Sequence, residues 1–203
     1  MNTKKIIIAA RVMSAIFTPF YLPIVGLVAL FVFSYLGLLP WAYKLLVLGM
    51  VYLFTILVPT LLIHLYHRYQ GWTPLQIGVK ERRMVPYAVS IFCYFACYYL
   101  MTRLRIPSFM ARILMAALLI QIVCAIVNVW WKISTHTAAI GGVTGALMAF
   151  SMLFAFNPVW WLCFTLLVSG MVGSSRIILH QHTLGQVLAG YGIGLLIGFI
   201  VII

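Results

Sequence analysis

Apolar residues fill this chain in long blocks, and polar residues are gathered into a few short islands between them. The blocks run over about 18 to 25 residues, the length a helix needs to cross the hydrocarbon core of a bilayer. The first covers residues 6–39, is broken by Arg11, Pro19 and Pro23, and reads as a retained or interfacial helix leading into a span near 24–38. Further spans are expected over 41–66, 87–104, 108–131, 136–154, 159–179 and 182–203. The predicted fold is all-α: a polytopic transmembrane helical bundle with six core spans and an additional N-terminal helix, interfacial or transmembrane. Residues 1–203 form one membrane-embedded domain, because no polar stretch is long enough to fold separately.

Three polar islands stand out. The connection over 67–86 carries Lys80, Glu81, Arg82 and Arg83; the second island runs from Lys132 to His136; the third holds Ser175, Arg176, His180 and His182. Two crossings separate each island from the next, so all three are expected on one face of the membrane. Trp130 and Trp131 border that face, while Trp41, Trp160 and Trp161 mark the other, as interfacial aromatic belts do. Gly141, Gly142 and Gly145, and Gly190, Gly194 and Gly198 at four-residue spacing, predict close packing of the later helices.

Composition narrows the chemistry. The chain is 66% hydrophobic and 7% charged, which excludes an ordinary soluble domain. Thirteen Lys and Arg face a single acid, Glu81. These cations are scattered in short loops without forming a stripe, so nucleic acid is not the expected partner; anionic lipid headgroups are. A hard-metal site would need several carboxylates that the chain lacks, and the four cysteines lie inside apolar spans without metal or disulfide spacing. Metal-independent, cofactor-free chemistry is expected.

His182 opens the last helix, with Gln186 one turn further along the same face, and Arg176 ends the helix before it. A short turn would bring Arg176 and His182 together. The planar guanidinium fork suits phosphate oxygens, and a neutral imidazole beside a clamped phosphate can attack phosphorus. His136 begins another helix, where Ser134, the backbone amides and the dipole favour anions; it could protonate a leaving oxygen and then activate water. Lys132 and Ser175 flank these groups.

This arrangement resembles the type-2 phosphatidic acid phosphatase superfamily, related in fold to vanadium haloperoxidases, and its compact bacterial branch. Ser175, Arg176 and His182 match the family's third motif, Ser-Arg, five residues, His. The second motif is reduced to Ser134, Thr135 and His136, and the first is echoed only by Lys80, Arg82, Arg83 and Pro86, so the motif-bearing core covers about 80–190. The resemblance implies that His182 is the nucleophile, that His136 is the general acid and base, and that Arg176 binds phosphate. Ser134, Ser175, Lys80, Arg82, Arg83 and Lys132 complete the implied phosphate site. Gln186 stands where the family places the aspartate that orients the nucleophile, and Glu81 is the one carboxylate available as a substitute.

The implied activity is removal of a terminal phosphate from a membrane lipid, with undecaprenyl diphosphate, phosphatidylglycerol phosphate, phosphatidic acid and lipid A all fitting. A lipid-linked phosphotransferase or a non-catalytic lipid-phosphate binder or transporter are the alternatives. Charge alone does not orient the chain: Lys44, Arg103, Arg105 and Arg112 mark one face, and Lys4, Lys5, Arg11 and Arg68 the other. The resemblance implies the bacterial inner membrane, with the site at the periplasmic face.

Overall fold

The computed structural model describes residues 3–69 and 80–203; the side chains of Thr3, Phe33, Tyr35 and residues 80–83 stand outside that description. Among the described residues every regular element is helical. In chain order they are α1 (Thr3–Ile16), α2 (Leu22–Phe33), a 3-10 turn (Tyr35–Leu38), α3 (Trp41–Tyr69), α4 (Lys80–Arg103), α5 (Ser108–Trp130), α6 (Thr135–Phe154), α7 (Val159–Ile178) and α8 (Leu184–Ile202). Six of them, α3 to α8, are long and apolar enough to cross a membrane, α4 through its stretch Met84–Arg103. The protein is therefore an all-α bundle of the multi-pass membrane kind.

The N-terminal block differs from the continuous span expected near 24–38. It divides into two short helices. At 12 residues, α2 is about 18 Å long, well short of a bilayer core of about 30 Å. Pro23 sits at its start, where a missing N–H costs nothing. Ser34 then leaves helical geometry (φ −121°, ψ 171°), and its hydroxyl accepts the Leu36 N–H to open the 3-10 turn. In α3, a π turn over Leu53–Leu57 directly precedes Pro59, whose ring would otherwise press on the carbonyl of Thr55.

The tightest pairing is between α6 and α8, and glycine explains it. A Cβ at Gly190 would meet the Ser134 carbonyl oxygen at 2.5 Å, and those at Gly194 and Gly198 would collide with the carbonyls of Ala138 and Gly142. From the other side, Gly141 and Gly145 face the carbonyls of Tyr191 and Leu195. The two backbones touch along about three turns because glycines face the partner's carbonyls at the seam.

The ends of the bundle sort as the sequence predicts. The α3 end and α4 start, the α5–α6 turn and the α7–α8 turn converge at one end, where His67, Tyr87, Lys132, His136, Arg176 and His182 share a cavity. Trp130 and Trp131 are exposed there, and Trp41 and Trp160 are exposed at the opposite end. Lys44 also belongs to the opposite end, where its ammonium donates to the Gly37 carbonyl at 2.5 Å and stands 4.6 Å from the Trp41 ring centroid. Arg112 donates to the Ile202 carbonyl at 2.9 Å, closing the end of α8.

Candidate functional site

The fixed spacing from Arg176 to His182 is a chain reversal built from two helix caps. At the end of α7 the Gln181 N–H donates to the Arg176 carbonyl at 3.1 Å and the His180 N–H to the Ile177 carbonyl at 2.9 Å. That is a Schellman motif, and His180 holds its left-handed position with φ 52°. At the start of α8, Thr183 and Gln186 form a capping box: the Gln186 side-chain oxygen accepts the Thr183 N–H at 3.1 Å, and the Thr183 hydroxyl accepts the Gln186 N–H at 3.4 Å. His182 is the residue between the two caps, and it is turned back into the bundle beneath Arg176. His180 is exposed on the turn and is not part of the cavity lining.

The second island is held against the third. Ser134 caps α6, its hydroxyl accepting the Thr137 N–H at 3.5 Å, and its own N–H donates to the Gln186 carbonyl at 3.4 Å. This contact depends on Gly190, which lets α8 lie directly on the Ser134 carbonyl. His136, one residue into α6, consequently faces both Arg176 and His182 closely enough for their charges to interact. The Lys132 backbone and ammonium both lie beside the His182 ring.

Four of the residues singled out in the sequence thus line one cavity of about 420 Å³: Lys132, His136, Arg176 and His182. Others take different places. The Ser134 hydroxyl is fully buried as the α6 cap, and the Ser175 hydroxyl donates to the Met171 carbonyl at 2.7 Å, along its own helix. Neither serine lines the cavity. Gln186 is engaged in the capping box; its side chain neighbours the His182 ring, yet His182 Nδ1 is buried without a hydrogen bond. The side chains of Lys80, Glu81, Arg82 and Arg83 lie outside the described residues.

One site residue has no counterpart in the motifs. Ser14, near the end of α1, accepts a hydrogen bond from Arg176 Nη1 at 2.6 Å, and its backbone adjoins the His136 ring. The first helix, packed along α7, therefore closes a side of the site. Its sequence signal is slight: a lone serine at a buried position of an otherwise apolar, basic-flanked helix.

The electrostatics favour an anion. Among the described residues lining the cavity, Lys132 and Arg176 are cations and none is an acid. His182, in the loop between α7 and α8, has its pKa lowered to about 4, first by burial and then by the neighbouring Arg176 and Lys132 charges. Its imidazole is neutral at pH 7, the state a nucleophile needs. Among the described residues, buried His136 Nδ1, His182 Nδ1 and Arg176 Nε find no hydrogen-bond partner. Such groups are normally satisfied in folded proteins, and the Arg176 Nε–H is a donor suited to an oxygen of an anionic ligand. Compared with known proteins, the chain matches no family model, no curated protein and no solved structure.

Proposed function

We propose that this chain is an integral-membrane lipid phosphatase, a phosphoric monoester or diphosphate hydrolase of the type-2 phosphatidic acid phosphatase kind, working without a metal. One observation carries the reading. Two chain reversals about forty residues apart, the α5–α6 and α7–α8 turns, deliver Lys132, His136, Arg176 and His182 to a single cavity inside a membrane bundle. The Arg176 fork and the Lys132 ammonium hold the non-bridging phosphate oxygens. The neutral His182 imidazole attacks phosphorus, and a phosphorus–nitrogen bond forms as the phosphorus–oxygen bond to the lipid breaks. His136, entering the step as the imidazolium that the bound phosphate dianion favours, donates that proton to the departing lipid oxygen. It then takes a proton from water, whose oxygen attacks phosphorus, breaks the phosphohistidine and releases inorganic phosphate.

The lipid's phosphate would reach the cavity from the bilayer surface, with anionic headgroups held by the loop cations. The resemblance supports the periplasmic face of a bacterial inner membrane as the site's location. The test is phosphate release from a panel of lipid phosphates and diphosphates in detergent with EDTA present. Activity should survive EDTA and vanish in His182→Ala; full activity in that variant sinks the mechanism. The unbonded His182 Nδ1 and the capping role of Gln186 favour one second reading, a lipid-phosphate binder without turnover. Tight binding across the panel with no phosphate released would establish it.

A further inference from the structure

Helical hydroxyls in this bundle turn to their own backbone. Thr55, Thr144, Ser169 and Ser175 each donate to a carbonyl three or four residues back. Ser14 departs from that pattern. Among the described residues its hydroxyl makes no bond within α1, and it accepts instead from Arg176 Nη1 at 2.6 Å while 9% exposed. The register of α1 fixes this meeting. Ala10, Ser14 and Phe17 share one helix face; Ala10 is buried, and Met13 and Phe17 pack against the cluster of Ile140, Val168 and Val172. Beyond Ile16 the chain leaves the helix, and Thr18, Pro19 and Phe20 line the cavity itself. Helix α1 is thus pinned on both sides of Ser14.

An arginine offers an anion two edges, each a pair of parallel N–H groups. One edge is Nη1 with Nη2. The other is Nε with Nη2, because Nη1 lies on the Cδ side of the guanidinium. With Nη1 taken by Ser14, the first edge is spoiled and the second stays whole. Arg176 Nε is buried with no partner, and among the described residues Ser14 is the single hydrogen-bond acceptor that the Arg176 side chain has. Ser14 is not part of the cavity lining, so it reaches a ligand only through Arg176. Its backbone adjoins the His136 ring, so one turn of α1 stands against both the anion clamp and the proposed acid.

We infer, resting on the phosphate site proposed above, that Ser14 is a positioning residue: by holding Nη1 it commits Arg176 to grip phosphate through the Nε–Nη2 edge, and so fixes where phosphorus sits relative to His182. Helix α1 is then a working wall of the site as well as an anchor in lipid. Without the Ser14 hydroxyl the guanidinium can follow an anion with either edge. Ground-state affinity does not fall, because the freed Nη1 replaces Nε, but the phosphate is no longer held in one place, and placement is what the transition state needs.

The experiment follows the side-chain N–H signals of isotope-labelled arginine by NMR in detergent micelles, with inorganic phosphate as the probe; the Arg176 Nε–H is the signal lost in Arg176→Lys. Phosphate should shift that signal in the unmutated chain and in Ser14→Thr, which keeps the hydroxyl. In Ser14→Ala most of the shift should be lost, with no weakening of phosphate binding. Ser14→Cys, whose thiol is a weak acceptor, should read the same way and decides the matter if Ser14→Ala fails to fold. Thr55→Val removes a buried hydroxyl bond of 2.8 Å elsewhere in the bundle and should leave the shift intact, which separates positioning from a general loss of stability. With a lipid phosphate that is turned over, Ser14→Ala should lower kcat about tenfold without raising KM, the mark of a donor misdirected in the transition state. A shift as large in Ser14→Ala as in the unmutated chain, no shift in the unmutated chain, or a loss confined to KM overturns the inference. The spectra need no turnover: the expected shifts without phosphate release remove the phosphatase reading alone, and release with shifts independent of Ser14 removes this inference alone.

Discussion

Gly194→Ala places one methyl group where α6 and α8 touch backbone to backbone. The new Cβ would fall far inside van der Waals contact with the Ala138 carbonyl oxygen, and 2.8 Å from the Gly142 nitrogen. Neither obstacle is a side chain that can swing aside, so the helices must separate. Overpacking of a tight interior costs about 1–3 kcal/mol, and the rigid obstacles argue for the upper end. The alanine returns about 1 kcal/mol in helix propensity, leaving a net loss of about 2 kcal/mol. Gly192, on the same helix, has nothing within 4 Å of its Cβ position; its alanine variant should gain up to about 1 kcal/mol. Equilibrium unfolding of both variants in detergent micelles, by helical circular dichroism against denaturant, reads the difference directly. Separation of α8 from α6 also moves His182 relative to His136, so the proposed phosphatase activity should be more than tenfold lower in folded Gly194→Ala, since ångström displacements at a reacting centre can cost about a hundredfold. Equal stabilities for the two variants, or a loss in Gly192→Ala as large as in Gly194→Ala, would refute the backbone-contact account.

Two further predictions bear on the site itself. Ser14→Ala removes the acceptor held by Arg176 at 2.6 Å and should lower stability by about 1.5–3 kcal/mol, the range for hydrogen bonds to charged groups; inorganic phosphate should narrow the gap in a thermal-unfolding assay by giving Arg176 new oxygens, and a loss too small to measure counts against the contact. The pKa of His182, lowered to about 4 in the folded protein against about 6.5 unfolded, means the unfolded chain binds the extra proton first as pH falls. Stability should therefore decline between about pH 6.5 and pH 4, by about 1–2 kcal/mol once the partial exposure of His182 is allowed for, and His182→Gln should flatten that part of the stability curve; an unchanged curve would show that His182 is not desolvated.

Much of the architecture was legible because lipid makes sequence patterns blunt. Long apolar blocks can only be helices when no water is present to satisfy the backbone, and α3 to α8 begin and end within a few residues of the expected boundaries. The glycine spacing in α6 and α8 was legible for a similar reason, since only residues without side chains permit this contact. The first block was misread where hydropathy alone guided it. Nothing in the apolar run over 24–38 announces that Ser34 will leave the helix, because the break is made by one hydroxyl turning to cap the Leu36 N–H.

At the site, spacing encoded which residues meet but not which of their atoms are free. Arg176 and His182 were legible because a Schellman turn followed by a capping box has a fixed length, and that length is the motif. The serines were not. With no water to compete, a helical hydroxyl turns to the carbonyl three or four residues back, as Ser175 does with Met171, and a serine before a helix caps it, as Ser134 does. A serine beside an arginine in a membrane helix is therefore as much a local backbone partner as a phosphate ligand. Ser14 escapes that rule because it lies where α1 meets Arg176, 162 residues away in the chain, and no local pattern can report so distant a contact. Gln186 marks the same limit. The position four residues after His182 is where a side chain could steady the imidazole, but it is also the N3 position of the capping box, and here the backbone of Thr183 holds the side-chain oxygen. The side chain beside the His182 ring thus also holds the cap that positions it.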